Sequence, residues 1–135
     1  MHILVVCDPE LGIVIDMVRH VADHAGCTMT HVATGDDAIN QPLPDVFVLL
    51  ADIPKIRVEA LLDWLHSDDG PRSIPPVIAI HMVSGQPTAP LARADAVVEG
   101  GANIRRIANV LRPFLDSDHI ARLDAWPLLH SLEPD

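Results

Sequence analysis

The residues of this chain best suited to chemistry are acids and a histidine set at the ends of short apolar runs. Asp8 follows Ile3-Leu4-Val5-Val6-Cys7, and Asp52 stands two residues past Val46-Phe47-Val48-Leu49-Leu50. His81 follows Val77-Ile78-Ala79-Ile80, and Glu99 closes Ala96-Val97-Val98. Grouped carboxylates hold a hard divalent cation or accept a phosphoryl group, and a histidine beside them moves a proton near neutral pH. A lone histidine at a strand end is more often simply hydrogen-bonded to its neighbours. A second pattern is His20 and His24, four apart beside Asp16 and Asp23, a spacing that binds zinc from one helix face. No third ligand accompanies them in the sequence, so they read as a solvated polar face. There is no nucleophile elbow, no phosphate-cradling glycine loop and no histidine–cysteine cluster. Gly100-Gly101 is too short for a cradle and reads as a flexible turn. No catalytic residue is assigned, and the chain is not expected to be an enzyme.

Composition narrows the classes further. The 135 residues fit one domain, and a hydrophobic content of 49% is enough to bury a real core. Aromatics make up only 3%, so that core must be built from Val, Ile, Leu and Ala. The net charge is -10 with nine Lys and Arg together. Such a surface repels phosphate backbones and anionic lipids, which argues against nucleic acid or membrane as direct partners. Cys7 and Cys27 are too few for a disulfide scaffold and lack metal-type spacing, and Cys7 reads as a small buried hydrophobe. The opening Met1-His2-Ile3-Leu4-Val5-Val6 is too short for a signal peptide or a membrane span, so a reducing cytoplasm is expected.

The elements that must position these residues alternate between strand and helix. Residues 3–7 form a first strand, followed by a helix over 11–24 with Leu11, Val14, Ile15, Val18, Val21 and Ala22 at helical spacing. Asp8 is placed to cap that helix, Pro9 to fill its first turn, and Gly26 to end it. Residues 28–33 read as an edge strand, 34–37 as a turn and cap, and 37–40 as a short helix stopped by Pro42 and Pro44. The uninterrupted run 46–50 reads as a strand buried on both faces. A helix over 57–66, an exposed loop at 67–71 and strands over 77–82 and 96–99 follow. Asn103 then caps a helix whose core face is Ile104, Ile107, Ala108 and Leu111. This order implies a parallel sheet with helices on both faces, whose sites lie at the C-terminal ends of the strands. Asp8, Leu50, His81 and Glu99 therefore converge on one edge.

The chain resembles the response-regulator receiver family over roughly residues 2–115. The resemblance rests on Ile3-Leu4-Val5-Val6-Cys7-Asp8-Pro9-Glu10, on Ala33-Thr34-Gly35-Asp36-Asp37-Ala38, on the strand before Pro54, and on Ala94-Asp95-Ala96-Val97-Val98-Glu99. It implies a flavodoxin-like (CheY-like) doubly wound α/β sandwich with a five-stranded parallel sheet. In the family, two acids after the first strand and a phosphate-accepting aspartate four residues before a proline hold magnesium. Here Cys7 takes the place of the first acid, Asp8 remains as the second, and the position four before Pro54 is Leu50. The family's hydroxyl residue after the fourth strand is matched by His81, and its lysine and proline after the fifth by Gly100 and Gly101. Leucine cannot form an acyl phosphate, and magnesium usually takes more than one carboxylate plus phosphate oxygens. Losing the lysine with the acids is consistent, because a buried lysine left alone would be an unpaired charge. Asp8, Leu50, His81 and Gly100 thus mark a degenerate pocket. In a second alignment Asp52, on the same strand face as Leu50 but about 6–7 Å further along, is the acceptor. Asp8 and Glu10 would then give weak magnesium help. Outside that alignment no cofactor is expected.

Two further departures shape the expected function. Between residues 82 and 96 the family places an amphipathic helix, but Gly85, Pro87 and Pro90 make a loop or single turn the expectation here. Residues 116–135 form an extension with a short helix from 117 or 118 to 126, carrying Ile120, Leu123, Trp126, Leu128 and Leu129. That apolar surface must pack back on the domain, in place of the missing helix, or form a homodimer or partner surface. The expected function is a pseudo-receiver of signal transduction, a phosphorylation-independent module that binds another signalling protein. The alternatives are an atypical receiver phosphorylated on Asp52 and a small-ligand module using the pocket.

Overall fold

The computed structural model describes residues 1–50, 57–81, 93–98 and 103–127. Its centre is a sheet of five parallel strands in the order β2-β1-β3-β4-β5: β1 (His2–Val6), β2 (Thr28–Val32), β3 (Val46–Leu50), β4 (Val77–Ile80) and β5 (Ala96–Val98). Every residue of β3 and β4 is buried, as their continuous Val, Ile, Leu, Ala and Phe content requires of strands covered on both faces. β2 lies at the edge, and its Thr28, Met29, Thr30 and His31 are only partly covered.

The helices are α1 (Gly12–Ala25), α2 (Gly35–Ile39), α3 (Val58–Leu65), α4 (Ile104–Leu111) and α5 (Ser117–Asp124). From β1 to β2 the chain steps one way along the sheet, and from β2 through β3 and β4 it steps the other. Right-handed crossovers therefore put α1 on one face and α2 with α3 on the opposite face. α1 packs with α4 and α5, and α2 packs with α3. The apolar stripes meet the sheet as their spacing dictates: Val14, Ile15, Val18, Val21, Ala22 and Ala25 on α1, Val58, Leu61, Leu62 and Leu65 on α3, and Ile107, Ala108 and Leu111 on α4.

Local signals set most boundaries. Gly26 ends α1 in the left-handed conformation, at φ 78°. Thr34 caps α2 by accepting from the Asp37 amide at 3.1 Å, so the helix begins at Gly35 and not at 37. Asn103 caps α4 through the Arg106 amide at 2.8 Å. The helix expected to start on Asp8 and Pro9 does not. Asp8 closes a turn of its own, its Oδ1 accepting from the Glu10 amide at 3.0 Å, and α1 begins at Gly12 with no side-chain cap.

The segment after α4 passes through a 3₁₀ turn (Arg112–Phe114) built around Pro113, and α5 then lies back on the domain. Leu123 is fully buried, the Trp126 ring stacks on His24 with centroids 3.8 Å apart, and Arg112 pairs with Asp124. α5 sits in the α1/α4 layer. It does not take the place of a helix joining β4 to β5, which handedness assigns to the α2/α3 face. The expectation of a shortened β4–β5 connection falls on residues 82–92, outside the described residues.

Candidate functional site

The register of the sheet decides which side chains share its C-terminal edge. Val6 pairs with Leu49, Leu50 with Ile80, and Ile80 with Val98. One step further, Cys7 is level with Leu50 and His81 stands just past the end of β4. The Cys7 amide donates to the Val32 carbonyl at 3.1 Å, and the His81 amide donates to the Val98 carbonyl at 2.9 Å. Both residues are thereby tied to the strand next door. The structure brings Asp8, Leu50 and His81 to one edge, as the strand pattern implies. Asp52, Glu99, Gly100 and Gly101 lie outside the described residues.

The described residues at this edge are nearly closed to water. Leu50 is 1% exposed, Cys7 1%, Asp8 7% and His81 8%. Asp8 and His81 are the two buried polar side chains among the described residues. The Asp8 carbonyl accepts from the Leu11 amide at 2.9 Å, so the β1–α1 turn holds the residue at both its main chain and its carboxylate. The Cys7 thiol donates to the Asp8 carbonyl at 3.6 Å. Burial, and after it the charge of Asp8, pushes that thiol up to about 11. At neutral pH the thiol is therefore protonated and a poor nucleophile.

Among the described residues the candidates for magnesium are Asp8 and Glu10. Asp8 is buried at the edge and Glu10 is exposed to solvent. Leu50 offers no oxygen. Among the described residues no group of three or more His, Cys, Asp or Glu is placed to hold a metal ion. Magnesium is usually held by one or two carboxylates together with waters and phosphate oxygens, and Asp8 is the one buried carboxylate at this edge among the described residues. His20 and His24 gain no third zinc ligand among the described residues, and the His24 ring lies against Trp126, 9° from parallel.

One residue that the sequence pattern does not flag belongs to the edge. His31, on the edge strand β2, meets the Cys7 carbonyl through Nε2 at 2.7 Å. A side chain thus occupies the acceptor that a longer β2 would fill with a backbone amide, and it fixes the backbone just before Asp8. A polar residue on an alternating edge strand carries no sign of this in the sequence.

On the α2/α3 side, close packing depends on two backbone features. Arg57 takes a left-handed conformation, at φ 57°. It turns its carbonyl toward Gly35, where a Cβ would sit 2.1 Å from that oxygen. The Arg57 guanidinium also pairs with Asp36 at 3.0 Å.

No protein-family profile matches the chain, and no curated protein is similar enough to match. Solved structures are similar in fold. The chemotaxis response regulator CheY4 of Vibrio cholerae is 17% identical with a TM-score of 0.65, covering 84% of this chain and 98% of its own. The receiver domain of the sensor histidine kinase PA1611 from Pseudomonas aeruginosa, solved with magnesium coordinated in its active-site cleft, is 17% identical with a TM-score of 0.67, covering 84% of this chain and 95% of its own. The response regulator RPA3017 in red light signalling of R. palustris is 15% identical with a TM-score of 0.59 and covers 99% of both chains. At these identities the likeness shows the fold: a CheY-like, flavodoxin-type five-stranded parallel sheet with helices on both faces.

Proposed function

We propose that this chain is a receiver-like module of signal transduction that works through contacts with another protein and not through an acyl-phosphate switch. The observation that carries the reading is Leu50, 1% exposed at the C-terminal end of the central strand, level with Cys7. These are the positions at which the receiver resemblance calls for acids. The fold likeness to receiver domains supports the signalling class, although a fold alone does not fix function. The chemistry of the edge supports the loss of the switch. A buried leucine, a thiol held neutral and a single buried carboxylate cannot together gather a hard cation and a phosphoryl group.

The working surface is then the outside of the domain. The partner is another signalling protein, and neither nucleic acid nor an anionic membrane suits a chain of net charge -10. No helix among the described residues is long and apolar enough to cross a membrane. The test is covalent. Incubated with magnesium and a small-molecule phosphodonor, the chain keeps its mass by intact mass spectrometry. Uptake of one phosphoryl group, abolished by Asp52→Ala, would overturn the reading and establish Asp52 as an acceptor.

A further inference from the structure

At the end of the sheet opposite the Asp8 edge, two exposed aliphatic residues stand on the approaches to neighbouring strands. Among the described residues the exposed large hydrophobics are Ile13, Leu43 at 47% and Ile74 at 42%. Leu43 lies just before β3 and Ile74 just before β4, and those strands are hydrogen-bonded neighbours with Phe47 paired to Val77. The Phe47 amide donates to the Pro76 carbonyl at 2.9 Å, so the two approaches run together up to the sheet. Single exposed aliphatics are ordinary, but two on adjacent approaches make a patch.

The backbone around the patch is stiff. Leu43 stands between Pro42 and Pro44, and Ile74 is followed by Pro75 and Pro76. Each proline fixes its own φ and restricts the residue before it, so Leu43 and Ile74 are both confined to extended conformations. The main chain here is already restricted, so a partner that covers the patch has little backbone left to order. The missing proline N–H groups also remove the donors by which a strand could add here.

The surroundings are acidic. Asp45, beside Leu43 in sequence, is exposed, as are Asp68 and Asp69 in the loop leading from α3 to Ile74. Arg72 is the exposed cation of the same loop. From an apolar pair held by prolines and a rim with more carboxylates than cations, we infer that this end of the sheet docks an amphipathic segment of another protein, one that pairs aliphatic side chains with Lys or Arg. This deepens the reading of the domain as a protein-interaction module and rests on it.

The test uses the full ¹⁵N-labelled chain and a synthetic amphipathic Leu/Lys peptide, with a Leu/Glu peptide of equal length as control. The Leu/Lys peptide shifts amide signals at Leu43, Asp45, Asp69 and Ile74, and the shifts weaken with added salt. Leu43→Ser/Ile74→Ser, both at exposed positions, lowers affinity by about tenfold. Asp68→Lys/Asp69→Lys lowers it several-fold and flattens the salt dependence. Equal response to the Leu/Glu peptide, shifts confined to the α1/α4/α5 face, or unchanged affinity in the serine variant overturns the inference. A chain that takes up phosphate yet binds the peptide at this patch overturns only the earlier reading. A chain inert to phosphodonor that ignores the peptide overturns only this one.

Discussion

Leu50→Asp returns a carboxylate to the end of β3, and its consequences can be worked out. Leu50 is 1% exposed, so the change forfeits the burial of a leucine side chain, worth about 1.5–3 kcal/mol. The new carboxyl is desolvated and shares its edge with Asp8, and both effects raise its pKa above the unfolded value of about 3.9. An acid raised in this way carries no ionisation penalty below its unfolded pKa and loses stability as pH climbs toward its folded pKa. Each unit of rise removes about 1.4 kcal/mol at neutral pH. The expected total is about 3–6 kcal/mol at pH 7, a large share of a domain's usual 5–15 kcal/mol, and distinctly less at pH 5. Two carboxylates at one edge also begin an oxygen site. Millimolar magnesium should restore about 1.4 kcal/mol if it reaches ten times its dissociation constant, while the parent chain shows no such response. Urea unfolding at both pH values, with and without magnesium, reads all of this. Leu50→Asn serves as the uncharged control and should show the same pH and magnesium dependence as the parent chain. A loss below about 1 kcal/mol at pH 7 would refute the claim that this position is desolvated. A magnesium response absent from the aspartate variant would refute the claim that the two carboxylates at this edge begin an oxygen site.

Four other outcomes follow from the packing and the titrating groups. Gly35→Ala drives a Cβ into the Arg57 carbonyl, which a Cβ would meet at 2.1 Å, and should destabilise the fold by more than about 2 kcal/mol in urea; a change within about 0.5 kcal/mol contradicts the close pass. Trp126→Ala strips the ring stacked on His24 and should cost about 2–4 kcal/mol, whereas unchanged stability would show that α5 is not fastened to α1. Hydrogen bonds from His119 hold the Asp116 carboxyl below its ordinary range. The stability it lends is therefore present above the unfolded carboxylate pKa and is lost as pH falls through the folded value. In an NMR titration Asp116 should lose its proton below the unfolded carboxylate pKa of about 3.9, and a midpoint above that value refutes the contact. Cys7, pushed up to about 11 by burial, should resist a thiol reagent at pH 8 until the chain unfolds, and rapid labelling of native protein would deny its burial.

The sheet was legible in the sequence because its strands are buried on both faces. A run such as Val46-Phe47-Val48-Leu49-Leu50 between Pro44 and Pro54 has few other uses, and β3 spans those residues. Gly26 and Asn103 act where their chemistry predicts, as a left-handed helix end and as a cap. The convergence of Asp8, Leu50 and His81 followed from strand order alone. Side-chain contacts made across elements were not legible. Asp8 has the form of a helix cap, yet its carboxylate serves the turn before α1, because the Glu10 amide comes within reach first. Nothing local marks His31 as the partner of the Cys7 carbonyl, or His24 as the surface that receives Trp126. Arg57 reads as an ordinary first residue of a helix. Its left-handed backbone arises from the tight meeting of α2 and α3, which only the tertiary fold sets.

The central claim is that the Asp8–Leu50–His81 edge no longer carries a phosphate switch, and one spectrum addresses it. Amide shifts of the ¹⁵N-labelled chain should be recorded with magnesium and beryllofluoride, which stands in for a phosphoryl group on a carboxylate. The account predicts no shifts at Asp8, Leu50 or His81 at millimolar ligand. Localised shifts there, abolished by Asp52→Ala, would contradict it and show that the switch still works through a different acid.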